Sequence, residues 1–340
     1  MEKINLMNDY NRTAHPKVLE ALFGAEGRRF TGYGTDEECA AAAASVRQLC
    51  GDADADVHFL VGGTQTNLTA AGAFLRPHEA VISPASSHIY MHETGALEAG
   101  GHKIVNFPAV AGKADAASVR AICEAHTDEH MVKPKLLFIS QATELGTAYS
   151  RADLAALREV CDEFGLLLYI DGARLANTLV SESCDLTLEA LAGLVDAFYI
   201  GGTKNGLLFG EAFVIVNPRL KEDFRYLMKQ RGALLAKGFL LGLQFRAYFE
   251  DGLWLELARR ANAMAAQLKE GLGAAGISFF SENDTNQVFL CTPPALIPAL
   301  EEGVLFEQWG PEEEAGVPIR FVTSWATTEA EVDAVLEFFK

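Results

Sequence analysis

Between Tyr169 and Glu211 the chain twice runs a short apolar segment straight into polar groups. The first, ending YIDGARLAN, delivers Asp171 and Arg174; the second, ending FYIGGTKNG, delivers Thr203 and Lys204. Asp171 and Lys204 are separated by about one β-loop-α-β crossover, the connection that two parallel strands need. In an open α/β sheet, ligands bind outside the carboxyl ends of the strands. A carboxylate, a guanidinium and an amine are thus aimed at one crevice.

The same signal recurs along the chain. Seven short β-like runs are bounded by turn residues: 57–61, 80–83, 103–107, 136–140, 166–170, 196–200 and 212–216. Helical stretches lie between many of them, at 66–75, 116–125, 152–164 and 186–194. Continuous apolar strands alternating with helices predict an α/β fold built on a seven-stranded, mostly parallel sheet covered on both faces. Asp185, Glu189 and Asp196 read as solvated cap or helix-face charges. Upstream, Pro16 opens a predicted helix over 17–22, and 39–49 is an alanine-rich helix. From about 245 the pattern changes. A long helix over 253–272 is followed by strands at 277–280, 287–291 and 318–323 and a helix over 329–339, a small α+β unit. The expected division is 1–245, an N-terminal arm with the large domain, and 246–340, the small C-terminal domain.

Composition excludes several classes. A net charge of −18 argues against nucleic acid, whose phosphates need a basic footprint. No apolar run reaches the length of a membrane span, and the N-terminus lacks the apolar core of a signal peptide. The six cysteines are scattered without a CxxC pair and read as reduced thiols in a cytoplasmic protein, with neither a disulfide frame nor a metal site.

Lys204 stands in apolar, glycine-rich surroundings. Such surroundings lower an amine's proton affinity and make it a nucleophile toward a carbonyl. An aspartate one strand away suits the pyridinium partner of pyridoxal 5′-phosphate, a cofactor that uses a Lys and Asp pair. Gly62-Gly63-Thr64 follows the first strand and opens a helix. By itself this is an ordinary strand-to-helix turn; beside Lys204 and Asp171 it is a candidate phosphate cradle. Arg320 lies inside an apolar strand and needs an anionic partner, a structural carboxylate or a ligand's.

The runs HIYMHETGA, YIDGARLAN and GGTKNG, with ISQATELGTAY and IRFVTSWATTEAEVDA, resemble the threonine aldolases of the β-eliminating lyase group. Within it the resemblance is to the low-specificity L-threonine aldolase and phenylserine aldolase branch of the fold-type-I pyridoxal-phosphate enzymes. It covers nearly the whole chain from Asn8 onward. It implies retro-aldol cleavage of β-hydroxy-α-amino acids to glycine and an aldehyde. It also implies a homodimer or homotetramer with shared sites. By position it implies His88 stacked on the cofactor ring, with His92 on the substrate side, and Arg320 and Arg174 on the substrate carboxylate. Asn8 and Tyr33 would lie near substrate and cofactor; for Asn8 a capping role in the arm is the equal alternative. A cation from KQRGALLAKG, best matched by Lys237, would reach the neighbouring subunit's phosphate. Glu144 departs from the pattern, because many of these aldolases carry histidine there, so His88, Glu144 and a water between them remain alternative bases. A β-eliminating lyase or racemase, or a catalytically silent protein, would share Lys204 and Asp171 and differ in substrate contacts.

Overall fold

The computed structural model describes residues 3–340. Thirteen strands are present: β1 Ile4–Asn5, β2 Asp56–Leu60, β3 Glu79–Pro84, β4 Ile104–Phe107, β5 Lys133–Ser140, β6 Leu167–Asp171, β7 Ala197–Gly201, β8 Glu211–Ile215, β9 Ser278–Ser281, β10 Gln287–Thr292, β11 Val304–Leu305, β12 Glu307–Gln308 and β13 Val317–Val322. The seven runs expected from sequence are β2 to β8, and they form one sheet in the order β2-β8-β7-β6-β5-β3-β4. Only β8 runs against its neighbours, β2 and β7. The remaining contacts are parallel.

Strands β3, β6, β7 and β8 are buried along their whole length, which is why they read as unbroken apolar runs. Alternate residues still part to opposite faces. Ile82, Ile139, Ile170, Phe198 and Val214 join one core; Val81, Phe138, Tyr169, Tyr199 and Phe213 join the other. Helices cover both faces. Arg151–Phe164 buries Leu154, Leu157, Val160 and Cys161 at helical spacing, and Ser150 starts it with a capping box to Asp153.

A second sheet, β12-β13-β10-β9, is antiparallel and has its own core with the helices Leu253–Ala274 and Glu329–Leu336. The arm joins this part of the molecule through β1, which pairs with β11. The helix Phe239–Phe249 passes unbroken through position 245, and the chain turns at Glu250–Gly252 before the long helix. The change of pattern noted at 245 therefore lies inside a helix that packs on the large sheet; its residues 247–249 belong to that core.

Asp196 is not a solvated charge. It pairs with Arg158 at 2.8 Å and accepts from the Leu168 amide at 2.7 Å and Asn217 Nδ2 at 2.6 Å. It ties the entrances of β6 and β7 to the end of β8, contacts from distant sequence that a local reading does not reveal.

Strands β6 and β7 pair only at Tyr169 with Ala197 and Ile170 with Phe198. Beyond that their backbones close to contact: the Gly201 amide donates to the Gly172 carbonyl at 2.9 Å. A β-carbon on Gly172 would sit 1.7 Å from the Tyr199 carbonyl oxygen. Gly172→Ala is therefore expected to cost about 3 kcal/mol or more, the upper range of overpacking. By contrast Gly273, helical and with nothing near its missing β-carbon, should gain about 0.5–1 kcal/mol as alanine. Urea unfolding of the two variants checks both signs.

Candidate active site

The carboxyl ends of β2, β3, β5, β6 and β7 lie on one edge of the large sheet, and antiparallel β8 begins there. Their trailing residues line a cavity of about 460 Å³. It collects Gly62, Gly63 and Thr64 after β2, His88 and His92 after β3, Glu144 after β5, Asp171 and Arg174 from β6, and Thr203 and Lys204 after β7. The small sheet closes the cavity with Arg320, Glu307 and Trp309, and the arm contributes Tyr10. Eleven of the residues singled out from sequence are thus brought together.

Three are not in this cavity. Asn8 holds the arm, accepting from the Tyr10 amide at 3.1 Å. Tyr33 lines a separate cavity of about 240 Å³ with Asp36, His58 and Arg225. Lys237 is exposed near it, since the Tyr33 amide bonds the Ala236 carbonyl.

Lys204 makes no hydrogen bond or ion pair among the described residues. Burial lowers its proton affinity and Arg174 adds to this, against the pull of Asp9, Asp171 and Glu211. A share of neutral amine is what a carbonyl nucleophile requires.

Asp171 is 5% exposed. Its Oδ1 accepts from Tyr199 Oη at 2.5 Å and the Ala173 amide at 3.0 Å; its Oδ2 accepts from Asn67 Nδ2 at 3.0 Å. Asn67 also donates to Glu93 at 2.8 Å and accepts from Tyr169 Oη at 2.9 Å. Glu93 in turn pairs with His88 Nδ1 at 2.8 Å. With Nδ1 donating to that carboxylate, Nε2 is the nitrogen left able to accept a proton. Asn67, Glu93 and Tyr199 carried no functional signal in sequence; they work by holding Asp171 and His88.

Glu144 accepts from the His88 amide at 2.8 Å and from Ser140 Oγ at 2.6 Å. Burial raises it above the ordinary carboxyl range, and the Asp171 charge adds to this against those two bonds. The helix Gly63–Phe74 begins at Gly62 with no side-chain cap, so its first amides are free for an anion. A β-carbon on Gly63 would press to 3.0 Å on Tyr199 Oη.

Arg174 is committed more fully than its sequence reading implied. Its Nε and Nη2 donate to Asp9 at 2.7 and 3.0 Å, and Asn286 adds a bond to Asp9 at 3.0 Å. Arg320 pairs with Glu307, donates to Gln287 at 3.0 Å and lies 4.5 Å over the Trp309 ring. Its Nε is buried without a partner, while the residue as a whole lines the cavity.

Burial works against a charged Asp9, but Arg174, Lys204 and the two hydrogen bonds outweigh it and hold the carboxyl below its ordinary value. This stabilisation is present above the unfolded value, near pH ~3.9, and is lost as pH falls through the folded one. Asp9→Ala leaves Arg174 charged and buried, so a loss of about 3–5 kcal/mol is expected at neutral pH. The gap to the parent protein should close on acidification, read by urea unfolding at a series of pH values.

A family model described as beta-eliminating lyase matches residues 13–293. Low specificity L-threonine aldolase from Pseudomonas sp. (strain NCIMB 10558) is 34% identical over 322 residues, 93% of this chain and 91% of the relative. The protein of the same name from Pseudomonas aeruginosa is 34% identical over 316 residues, 92% of this chain and 90% of the relative. The solved structure of a Leishmania major threonine aldolase superposes with a TM-score of 0.97 at 45% identity, covering 99% of this chain and 98% of that one. A Thermus thermophilus aspartate aminotransferase, 18% identical with a TM-score of 0.74 over 99% of this chain and 91% of its own, shares the fold.

Proposed function

The chain belongs to the beta-eliminating lyase family, and from that premise we propose that it is a pyridoxal-phosphate aldolase. It cleaves β-hydroxy-α-amino acids such as L-threonine or L-allo-threonine to glycine and an aldehyde, with phenylserine a further substrate. The single observation that carries this is the unpartnered Lys204 amine facing a carboxylate, Asp171, that three donors hold in place.

The residues suit the cofactor. The uncapped helix start at Gly62–Thr64 offers free amides to a phosphate, Asp171 offers a charge to a ring nitrogen, and the Lys204 amine offers a bond to an aldehyde. Thr203 and the His88 ring border the same space. When bound, pyridoxal 5′-phosphate supplies an electron-poor ring that takes up the electron pair freed at the substrate α-carbon.

The protein's own part is to bind, orient and move protons. The Arg320 guanidinium meets the substrate carboxylate, and Arg174, already turned to Asp9, adds positive charge beside it. Holding the carboxylate fixes the Cα–Cβ bond relative to the ring, an orienting effect worth several kcal/mol. His88 through Nε2, or Glu144, takes the β-hydroxyl proton as Cα–Cβ cleaves and the hydroxyl carbon becomes the aldehyde carbonyl. Glycine is completed when a proton returns to the α-carbon.

Among the described residues the only lysine and arginines on the cavity wall are Lys204, Arg174 and Arg320, and none belongs to the Gly62–Thr64 turn. We place Lys237 and Tyr33 against the site of a neighbouring subunit in a cytoplasmic homodimer or homotetramer, where the lysine supplies that charge. No helix among the described residues is long and apolar enough to cross a membrane.

The test is an amino-acid panel with the purified protein, measuring acetaldehyde against pyruvate and ammonia. Acetaldehyde and glycine from L-threonine are expected. Lys204→Ala should lose both the turnover and the absorbance near the visible edge; full turnover in that variant would sink the scheme. Lys237→Ala is expected to weaken cofactor binding about tenfold, seen as a higher concentration for half-maximal recovery of that absorbance.

A further inference from the structure

Glu211 is the first residue of β8, and the antiparallel register sets it opposite Leu60 of β2 and Gly201 of β7. That places a carboxyl at the sheet edge where the cavity opens, though the sequence shows only one acid ahead of an apolar run. It is 4% exposed and lines the cavity. Its Oε1 accepts from Thr203 Oγ1 at 2.9 Å and its Oε2 from the Gly202 amide at 3.2 Å. Both donors are neutral, and both come from the turn that carries Lys204. Glu211 forms no ion pair among the described residues. A buried carboxylate without a cation is costly, so its charge has to be answered by a proton or by the nearest amine.

The acids around Lys204 divide by commitment. Asp9 is spent on Arg174 and Asn286. Asp171 is held by Tyr199, Asn67 and the Ala173 amide and is the acid that would meet the cofactor ring. Glu211 is the acid left for the amine. The charged groups acting on Lys204 are Arg174, Asp9, Asp171 and Glu211. Those acting on Glu211 are Lys204 and Asp171, and its field also reaches the phenols of Tyr169, Tyr199 and Tyr248, which burial keeps neutral.

We propose that Glu211 is a positioning residue that sets the protonation state of the Lys204 amine, the two groups holding one proton between them. This rests on the reading of Lys204 as the amine that meets the cofactor aldehyde. When the amine acts as nucleophile or base, ammonium and carboxylate become amine and carboxylic acid; when it must be charged again the proton returns. The two side chains make no direct hydrogen bond or ion pair, so the proton passes through a water in the cavity both line, and the net charge of the site is unchanged. Burial moves the two groups toward this neutral pair, lowering the amine and raising the carboxyl. Thr203 and Gly202 oppose it by favouring the carboxylate.

The test reads the amine directly, without substrate turnover. The full-length protein in cofactor-free form is treated with acetic anhydride across a pH series, and modification of Lys204 is followed by peptide mass spectrometry. Glu211→Gln removes the negative charge while keeping the shape. Its midpoint for Lys204 modification is expected to fall by about one pH unit, a tenfold loss of proton affinity. Glu211→Asp should restore the midpoint toward that of the parent protein, which a merely structural role would not do. A folded Glu211→Gln protein with an unmoved midpoint overturns the proposal. Should that variant not fold, Thr203→Val decides by the same criterion, with a smaller shift in the same direction expected. Failure of the aldolase reading would show separately, as absence of acetaldehyde with the midpoint shift intact.

Discussion

The site depends on how closely the ends of β6 and β7 approach one another. Two neighbouring parallel strands ordinarily hold their backbones a strand spacing apart. Here a β-carbon on Gly172 would fall on the Tyr199 carbonyl and one on Gly201 on the Ala173 backbone, so neither glycine has space for one. This contact lets the chain leave both strands toward the same crevice, carrying Asp171 on one side and Lys204 on the other. With side chains at the crossing, the strands would splay and the acid and the amine would part.

Around that crossing the buried charges are answered one by one, and the way each is answered sorts them by purpose. Asp9 and Arg174 satisfy each other at two points and tie the N-terminal arm to the large sheet. Asp171 is fixed by hydroxyl, amide and backbone donors, which orient it without a competing cation. Lys204 and Glu211 have no ion pair among the described residues, and they are the groups whose protons are free to move. Stability and reactivity are thus divided between neighbouring residues of the same kind.

The small sheet completes the enclosure. Arg320 on β13 is braced by Glu307 across the strand pair, by Gln287 on β10 and by the Trp309 ring. A guanidinium stacked and paired in this way loses little further freedom when it binds a carboxylate. A second cavity of about 500 Å³, sharing His92, Glu144, Glu307 and Trp309 with the first, continues outward between the large and small sheets.

The sequence by itself determined the α/β class, all seven strands of the large sheet and the edge on which the functional groups meet. Strand identity follows from local apolar runs, and a parallel sheet delivers its trailing loops to one side whatever the details. The Lys204, Asp171 and Arg320 constellation was legible for the same reason: each follows, or lies within, an apolar strand. Only the tertiary structure decided the partners. The bond from Asn67 to Glu93 behind His88, the Asp9 clasp on Arg174 and the tie that Asp196 makes to Arg158 join residues 26, 165 and 38 positions apart, beyond the reach of a local pattern. Glu211 is the sharpest case, because the same residue at the head of a strand would face solvent in a different register. It faces Lys204 because β8 runs antiparallel, and strand direction is set by the long-range packing of the whole sheet.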